Sequence, residues 1–525
     1  MYRSELVIAL SCAVGTDIIP VRKVIEDELN KYGYKCHTIK ISKTLLEPLC
    51  KDIANVNNFE RAMKLMDLGN EMRKQSKDCA ILARGTVHQI TQHRKQTNAN
   101  KENKNEPLQS TAYIIDSLKH PDEVKLLRDI YTTGFYLFAI NESELFRREN
   151  LNSTKNIGKK DAQALIDRDL EEKEKYGQKT RRVFELADFH LSLNSWKKTL
   201  DTSQAHKLNG EKIAKHKREI IQGQLSRIIK LMFSNPFITP TFDEYAMFMA
   251  YSAGLRSADL SRQIGAVIAT PNNEIVAMGA NDCPRFGGGQ YWPEYDSRTY
   301  SFSDIEDGRD YMRGFDSNKQ EHVRIVDEIV NLFNFPDNES GEQEKRKVRD
   351  RIYNSRLKLL TEYGRPVHAE MSAILSCART GISLQNATLY CSTFPCHNCA
   401  KHIIGAGIKR VVYIEPYPKS KSVELYSDSL VLAEERTDNS PLDRVCFEEF
   451  VGIGPRRFFD LFSLGLSTGA SLTRKNADSL SGEKASWKES SAELRCPLEP
   501  TTYFEREAYG ASEYLTYLEH IKECK

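Results

Sequence analysis

No stretch of this chain approaches the ~18 consecutive apolar residues that a membrane span requires, and neither sign of charge is in excess. Lys and Arg together number 75 against 73 Asp and Glu, a net charge of +2. Coating a nucleic acid rests on neutralising phosphates with a clear basic surplus, so that class is disfavoured, although a local basic groove stays open. Disulfide density is missing as well. Twelve cysteines are scattered through 525 residues, as expected of reduced core residues in a cytoplasmic protein. The apolar start, Leu6–Gly15, has the texture of a signal peptide, but Glu5 precedes it and a helix-like pattern follows, which argues against cleavage. A chain that is 40% hydrophobic and 28% charged is too apolar for wholesale disorder. Its length predicts two to four domains of roughly 100–200 residues.

Apolar periodicity organises the first ~195 residues into alternating strands and helices. Leu6–Leu10, Cys36–Ile41, Ala112–Asp116 and Phe135–Ile140 read as strands; Ile19–Tyr32 and Pro121–Tyr131 read as helices, the second with proline in its first turn. Such alternation predicts a doubly wound parallel sheet over residues 1–195. A charged helical linker is predicted for 196–240, including a helix over Lys212–Leu231. A second α/β domain is predicted for 241–465, with a helix at Phe242–Leu255, a hairpin from Ile264–Ala269 and Glu274–Met278, a glycine- and aromatic-rich loop at Pro284–Ser317, and charged helices near 318–334 and 342–362. Residues 466–525 read as a linker closing on a helix, Phe504–Cys524.

One cysteine pair is tight, and it lies in the densest chemical stretch. His368-Ala369-Glu370 is followed by Pro395-Cys396-His397-Asn398-Cys399. A catalytic zinc keeps three protein ligands and an open position for water; His368, Cys396 and Cys399 supply one imidazole and two thiolates. Both ligand sets fall at predicted helix starts, Ala369–Ala378 and His397–Ala406, where the macrodipole favours thiolate. Strands Ala387–Cys391 and Arg410–Ile414 flank the second helix as a β-α-β unit. Glu370, two residues from a ligand, is placed to move a proton. A redox C-x-x-C needs no His-x-Glu partner, and a closed structural zinc completed by His397 or His402 leaves Glu370 unexplained. H-x-E followed by P-C-x-x-C is the signature of zinc deaminases.

With these residues, residues 241–460 resemble the deoxycytidylate deaminase branch of the cytidine deaminase superfamily. The resemblance extends through LRSADLSRQIGAVIA (255–269), AMGANDCPR (277–285) and TFPCHNCAKHIIGAGIKRVVY. It implies an α/β/α sandwich with a mixed sheet of about five strands, one Zn2+ per chain, and attack of a metal-generated hydroxide on C4 of cytosine. The resemblance also implies that Glu370 would protonate N3 and then the departing amine. Asn281 matches the asparagine that contacts the sugar, while Arg256, Ser257 and Arg262 occupy the stretch where nucleotide deaminases hold phosphate. The long Cys283–Ser317 insertion departs from the family spacing and falls where a substrate lid is expected.

In the first domain, strand Leu6–Leu10 runs into Ser11-Cys12-Ala13-Val14-Gly15-Thr16-Asp17 and a helix. A strand–loop–helix with a small turning loop aims backbone N–H groups at a phosphate. The loop falls short of the full P-loop pattern, with no lysine after Gly15. Together with Tyr113-Ile114-Ile115-Asp116 and SLKHPDEVKLLRDIY it is similar to P-loop nucleotide kinases. That similarity implies nucleotide contacts at Ser11, Gly15, Thr16 and Asp17, with Asp116 helping to hold Mg2+. The missing lysine argues for binding or regulation over phosphoryl transfer.

A degenerate P-loop domain followed by a deoxycytidylate-type deaminase resembles the bacterial anti-phage deoxycytidine nucleotide deaminases, over about residues 5–465. The resemblance implies deamination of dCTP and dCMP, depletion of cytosine nucleotides during infection, a regulatory nucleotide, RNA or phage trigger, a homo-oligomer, and no membrane association. Two other readings remain. A tRNA or single-stranded DNA deaminase would need an extruded base and a basic groove. A nucleotide sensor would use the deaminase domain as a non-catalytic scaffold.

Overall fold

The computed structural model describes residues 4–50, 53–170, 172, 176–194, 210–416, 420–435, 443–465, 472–476, 483–498 and 500–523. The first half runs β1 (Leu6–Cys12), α1 (Ile18–Lys31), β2 (Lys35–Lys40), α2 (Asn58–Ser76), α3 (Ile81–Thr97), β3 (Thr111–Asp116), α4 (Pro121–Tyr131), β4 (Phe135–Asn141), α5 (Glu144–Ser153), α6 (Lys159–Leu170), α7 (Thr180–Glu185) and β5 (Phe189–Ser192). After α8 (Gly210–Met232) come α9 (Phe242–Gly254), β6 (Gly265–Ala269), β7 (Ile275–Ala280), the short pair β8 (Glu294–Asp296) and β9 (Ser301–Ser303), α10 (Ser317–Val330) and α11 (Glu339–Tyr353). The chemical stretch is α12 (Ala369–Thr380), β10 (Thr388–Thr393), α13 (His397–Gly405) and β11 (Arg410–Glu415). β12 (Leu430–Leu432), β13 (Val445–Glu449), β14 (Gly452–Ile453) and α14 (Pro500–Glu523) follow, with short helical turns between elements.

Two six-stranded sheets carry the chain. In the first, β2, β3, β1, β4 and β5 run parallel in that order, and β14 adds antiparallel to β5. Every residue of β1 is buried, because helices cover both faces, and a doubly covered parallel strand reads as an unbroken apolar run. α1 and α8 pack on one face; α3, α4 and α14 pack on the other. The second sheet is ordered β12-β13-β11-β10-β6-β7, antiparallel only where β6 meets its two neighbours. α12 and α13 cover one face and α9 the other. This is the expected α/β/α sandwich, with six strands.

Packing distributes the two segments read from sequence as linker and tail. α8 contributes Leu225, Ile228, Ile229 and Met232 to the core beneath α1. α14 contributes Tyr503, Tyr514 and Tyr517 to the opposite core. Arg94 of α3 binds both Glu5 and Glu507 in full burial. The halves are also stitched by Glu244 of α9, which accepts from Arg227 of α8 and from the Ile453 amide of β14. The insertion read as a loop holds the β8–β9 hairpin, with Tyr295 facing Phe302 across strands at 5.2 Å. The helix predicted to 362 ends at Tyr353. No helix of the described residues is long and apolar enough to cross a membrane.

Candidate active site

Two helix starts bring the metal donors together. His368 is the N-cap residue of α12 and Cys396 that of α13. Cys399 lies in the first turn of α13, buried. α12 reaches its position because β7 carries Gly279 beneath it: a Cβ there would lie 2.2 Å from the Ala369 carbonyl oxygen. His368 Nδ1 stands 3.4 Å from both Cys396 Sγ and Cys399 Sγ, and the three donor atoms fall within 4.8 Å of one another. Tetrahedral zinc with ordinary Zn–N and Zn–S bonds sets that N···S edge at roughly 3.6 Å. The donors therefore fit the ion.

Charge is separated among the three donors. A hydrogen bond from Cys399 and the neighbouring His368 imidazolium hold the Cys396 thiol down to about 3, against its burial. Its thiolate in turn pushes His368 up to about 9, and Cys399 is held protonated by the same thiolate and by burial. Loading a metal displaces these protons. Glu370, in the first turn of α12, is 5% exposed. Burial first, and the Cys396 thiolate second, raise its carboxyl above the usual range. A carboxyl tuned upward is suited to taking and returning a proton near neutrality.

A cavity of about 290 Å³ opens over this cluster, lined by His368, Glu370, Cys396, Asn281, Arg262 and Thr393 among others. Asn281 accepts from the Ile264 amide and donates to the Arg262 carbonyl, both at 2.7 Å. One N–H and one lone pair remain for a ligand. Arg262 lines the cavity, but its guanidinium is bound to Glu415 and to Glu185. The other two residues predicted to hold phosphate are placed elsewhere. Arg256 donates to Gln290 and to the Tyr291 carbonyl and lies 3.7 Å from the Trp292 ring, bracing the base of the insertion. Ser257 is buried and donates to the Asn281 carbonyl at 2.6 Å. A guanidinium or hydroxyl read from a short motif goes to the nearest acceptor the fold supplies, and here those are backbone carbonyls and an amide.

The cavity also holds residues that sequence reading missed. Asp310 and Asp316 of the insertion and Asp259 line it, and no short-range pattern marks them. Beside it, Arg181 of α7 reaches across from the first half to Glu415 at 2.8 Å, with both side chains buried. Glu415 also accepts from Thr393 at 2.8 Å. The cavity wall is therefore tied to the N-terminal sheet.

In the N-terminal half the loop after β1 turns at Gly15 (φ +88°), where a Cβ would lie 2.7 Å from the Arg147 carbonyl oxygen. Two of its amides are engaged by acidic side chains. Val14 N–H donates to Asp169 at 2.7 Å and Asp17 N–H to Glu142 at 2.8 Å. Ser11 is fully buried and donates to the Leu118 carbonyl. Thr16 and Asp116 line a separate cavity beside this loop, and Asp116 pairs with Arg22 at 3.3 Å. Lys119, after β3, donates to the Cys12 carbonyl at 2.6 Å and to Asp169 at 2.9 Å.

Comparison with known proteins places a deaminase domain in the second half. Residues 240–415 match the family model "Cytidine and deoxycytidylate deaminase zinc-binding region", which contains the His368–Cys396–Cys399 centre. The chain is 51% identical over 55 residues to the deoxycytidylate deaminase of Enterobacteria phage T2, covering 10% of this chain and 29% of that protein. It is 27% identical over 175 residues to a probable deoxycytidylate deaminase of Drosophila melanogaster, covering 33% and 59%. The chain thus spans less than two thirds of either relative's length. A solved dCMP deaminase from cyanophage S-TIM5 aligns over 40% of this chain and 99% of that one at 16% identity, with a TM-score of 0.21, a value that carries no functional weight.

Proposed function

We propose that this chain is a zinc-dependent hydrolase that deaminates free deoxycytidine nucleotides, converting dCMP and dCTP to dUMP and dUTP with release of ammonia. One arrangement carries the reading. A buried carboxyl with a raised pKa, Glu370, shares a cavity with a His-Cys-Cys donor set and with Asn281. Zinc, when bound by His368, Cys396 and Cys399, makes a water acidic enough to act as nucleophile at neutral pH. Glu370 would accept one proton of that water and deliver it to N3 of the base, then take the remaining proton from the new C4 hydroxyl and pass it to the leaving amine. The C4–O bond forms, the C4–N bond breaks, and water in balances ammonia out. Asn281 has one donor and one acceptor left to orient the sugar.

Cavity chemistry disfavours a polynucleotide. Asp259, Asp310 and Asp316 line it, and Arg262 is neutralised by Glu415, so a long polyanion meets no free basic track among the described lining residues. The two-part architecture supports the wider role, in which the chain acts as a cytoplasmic homo-oligomer and lowers dCTP during phage infection under control of its N-terminal half.

Zinc-loaded protein incubated with dCMP, dCTP, CTP and deoxycytidine, with and without ATP, GTP and dTTP, should release ammonia from the deoxynucleotides. Glu370→Ala should keep one zinc per chain, lose turnover by about 10²–10⁴-fold, and fail to protect cells from phage. No ammonia from either dCMP or dCTP at full zinc occupancy would overturn the proposal.

A further inference from the structure

Among the described residues, one group besides His368, Cys396 and Cys399 gathers metal-ligating atoms. The donors of Cys79, His120 and Asp122, all in the N-terminal half, lie within 4.8 Å of one another. Cys79 sits in the turn between α2 and α3, which Asp78 fixes by accepting from the Ala80 amide at 2.8 Å and from Arg84 at 2.7 Å. His120 is the N-cap residue of α4, and Asp122 lies in its first turn. The fold alone brings the thiol to the other two, across α3 and β3.

The imidazole has a lone pair to give. His120 is 3% exposed, and its Nε2 has no hydrogen-bond partner among the described residues. Its Nδ1 accepts one long bond, from the Asp122 amide at 3.2 Å, and stands 3.7 Å from Asp122 Oδ2. A buried ring is rarely paired so sparsely. Ligation through either nitrogen costs the ring only that one bond. Glu123 keeps the other half of the cap, accepting from the His120 amide at 3.0 Å.

Sulfur, nitrogen and oxygen together select zinc over magnesium or calcium, which prefer oxygen alone. Tetrahedral zinc sets its donor–donor edges at roughly 3.3–3.6 Å, so no pair has more than about 1.5 Å to close. The Asp122 side chain is 55% exposed and has room to swing. A thiolate and a carboxylate balance the charge of the ion. The cations that face both Cys79 and His120 are Arg73 and Lys179, and Arg73 is paired with Glu123 at 2.9 Å.

We infer that Cys79, His120 and Asp122 form a further zinc site, its fourth position open to water, which clips the α2–α3 turn to the start of α4. The site goes beyond the deamination reading and stands independently of it. The buried Arg73–Glu123 pair joins α2 to α4 beside it, and both of those residues line the cavity next to the loop after β1. An ion here therefore braces one wall of that cavity.

Counting zinc per chain in the full-length protein, with free zinc buffered at about 10 nM, inside the span of structural zinc sites, tests the site. Wild type should hold two ions. Cys79→Ser should lose one, its affinity falling by more than the about 10–100-fold that loss of a mere supporting partner costs. His120→Asn, which keeps a good N-cap residue, and the exposed Asp122→Asn should lose the same ion while circular dichroism stays native. Lys179→Met removes a facing cation and should tighten that ion. His368→Asn should lose the other ion and keep this one, so the two sites fail separately. An ion lost in His368→Asn as the sole zinc of the wild-type chain would overturn the inference, as would a second ion retained in Cys79→Ser. Filling only above about 1 µM zinc, unchanged by the variants, would mark an adventitious ion only and overturn it too.

Discussion

Replacing Arg94 by methionine removes the one positive charge between two carboxylates that the fold has taken out of water. Arg94 Nε and Nη2 donate to Glu5 at 3.1 and 2.8 Å, and Nη1 and Nη2 donate to Glu507 at 2.7 and 3.1 Å. All three side chains are at most 2% exposed. Glu5 keeps other donors in the variant, the Leu108 amide at 2.8 Å and the Tyr503 hydroxyl at 2.9 Å. Glu507 keeps the Tyr131 hydroxyl at 2.9 Å and is the worse stranded.

Removing one partner of a buried pair costs about 3–5 kcal/mol, a large share of the ~5–15 kcal/mol that holds a domain folded. Because Glu507 belongs to α14, the loss should appear first as faster hydrogen exchange over residues 500–523, then as a lower denaturation midpoint by circular dichroism. pH supplies the diagnostic sign. Burial already raises the Glu507 carboxyl against the pull of Arg94, and without that pull it rises further. The folded variant then binds a proton more readily than wild type, so the deficit is largest near pH 8 and shrinks on acidification. Adding Glu507→Gln to the variant should recover part of the loss. A deficit below about 1 kcal/mol at pH 8, the range of an exposed ion pair, or one that ignores pH, would refute the reasoning.

Two further predictions concern the joint between the halves. Arg181→Met leaves Glu415 with Arg262 and Thr393, so the chain should fold, while the KM for nucleotide rises between about 2- and 30-fold, the span of a 0.5–2 kcal/mol coupling, with partial rescue in Arg181→Lys; an unchanged KM would sever α7 from the cavity. His190 of β5 is buried opposite Gly452 of β14, and burial alone lowers it to about 4 from 6.5. The unfolded chain therefore takes up a proton that the folded chain refuses, and about 3 kcal/mol of stability should be lost as pH falls from 6.5 to 4. His190→Leu should flatten that slope in acid denaturation; an unaltered slope would place the pH sensitivity elsewhere.

Local patterns made much of this molecule legible. β1, β3 and β4 are unbroken apolar runs because both faces of their sheet are covered, and α4 is announced by proline in its first turn. The zinc donors were legible for the same reason: Cys396 and Cys399 share one helical turn, and the His-x-Glu pair marks another helix start. Long-range partnerships were not. The loop amides after β1 look free until the fold brings Asp169 and Glu142 to them across 155 and 125 residues, and Arg256 looks like a phosphate ligand until Gln290 and Trp292 close on it.

By itself the sequence determined the two α/β halves and the grouping of His368, Glu370, Cys396 and Cys399 at two helix starts, since periodicity, caps and ligand spacing act over a few turns of chain. Tertiary structure alone decided which charges remain available. It neutralised Arg262 with Glu415, laid three aspartates along the zinc cavity, and folded α14 back onto the first sheet through Arg94 and Glu507, which are 413 residues apart. The physical reason is that an ionised or polar side chain takes the nearest partner that packing supplies, and proximity in a folded chain is not written in any local repeat.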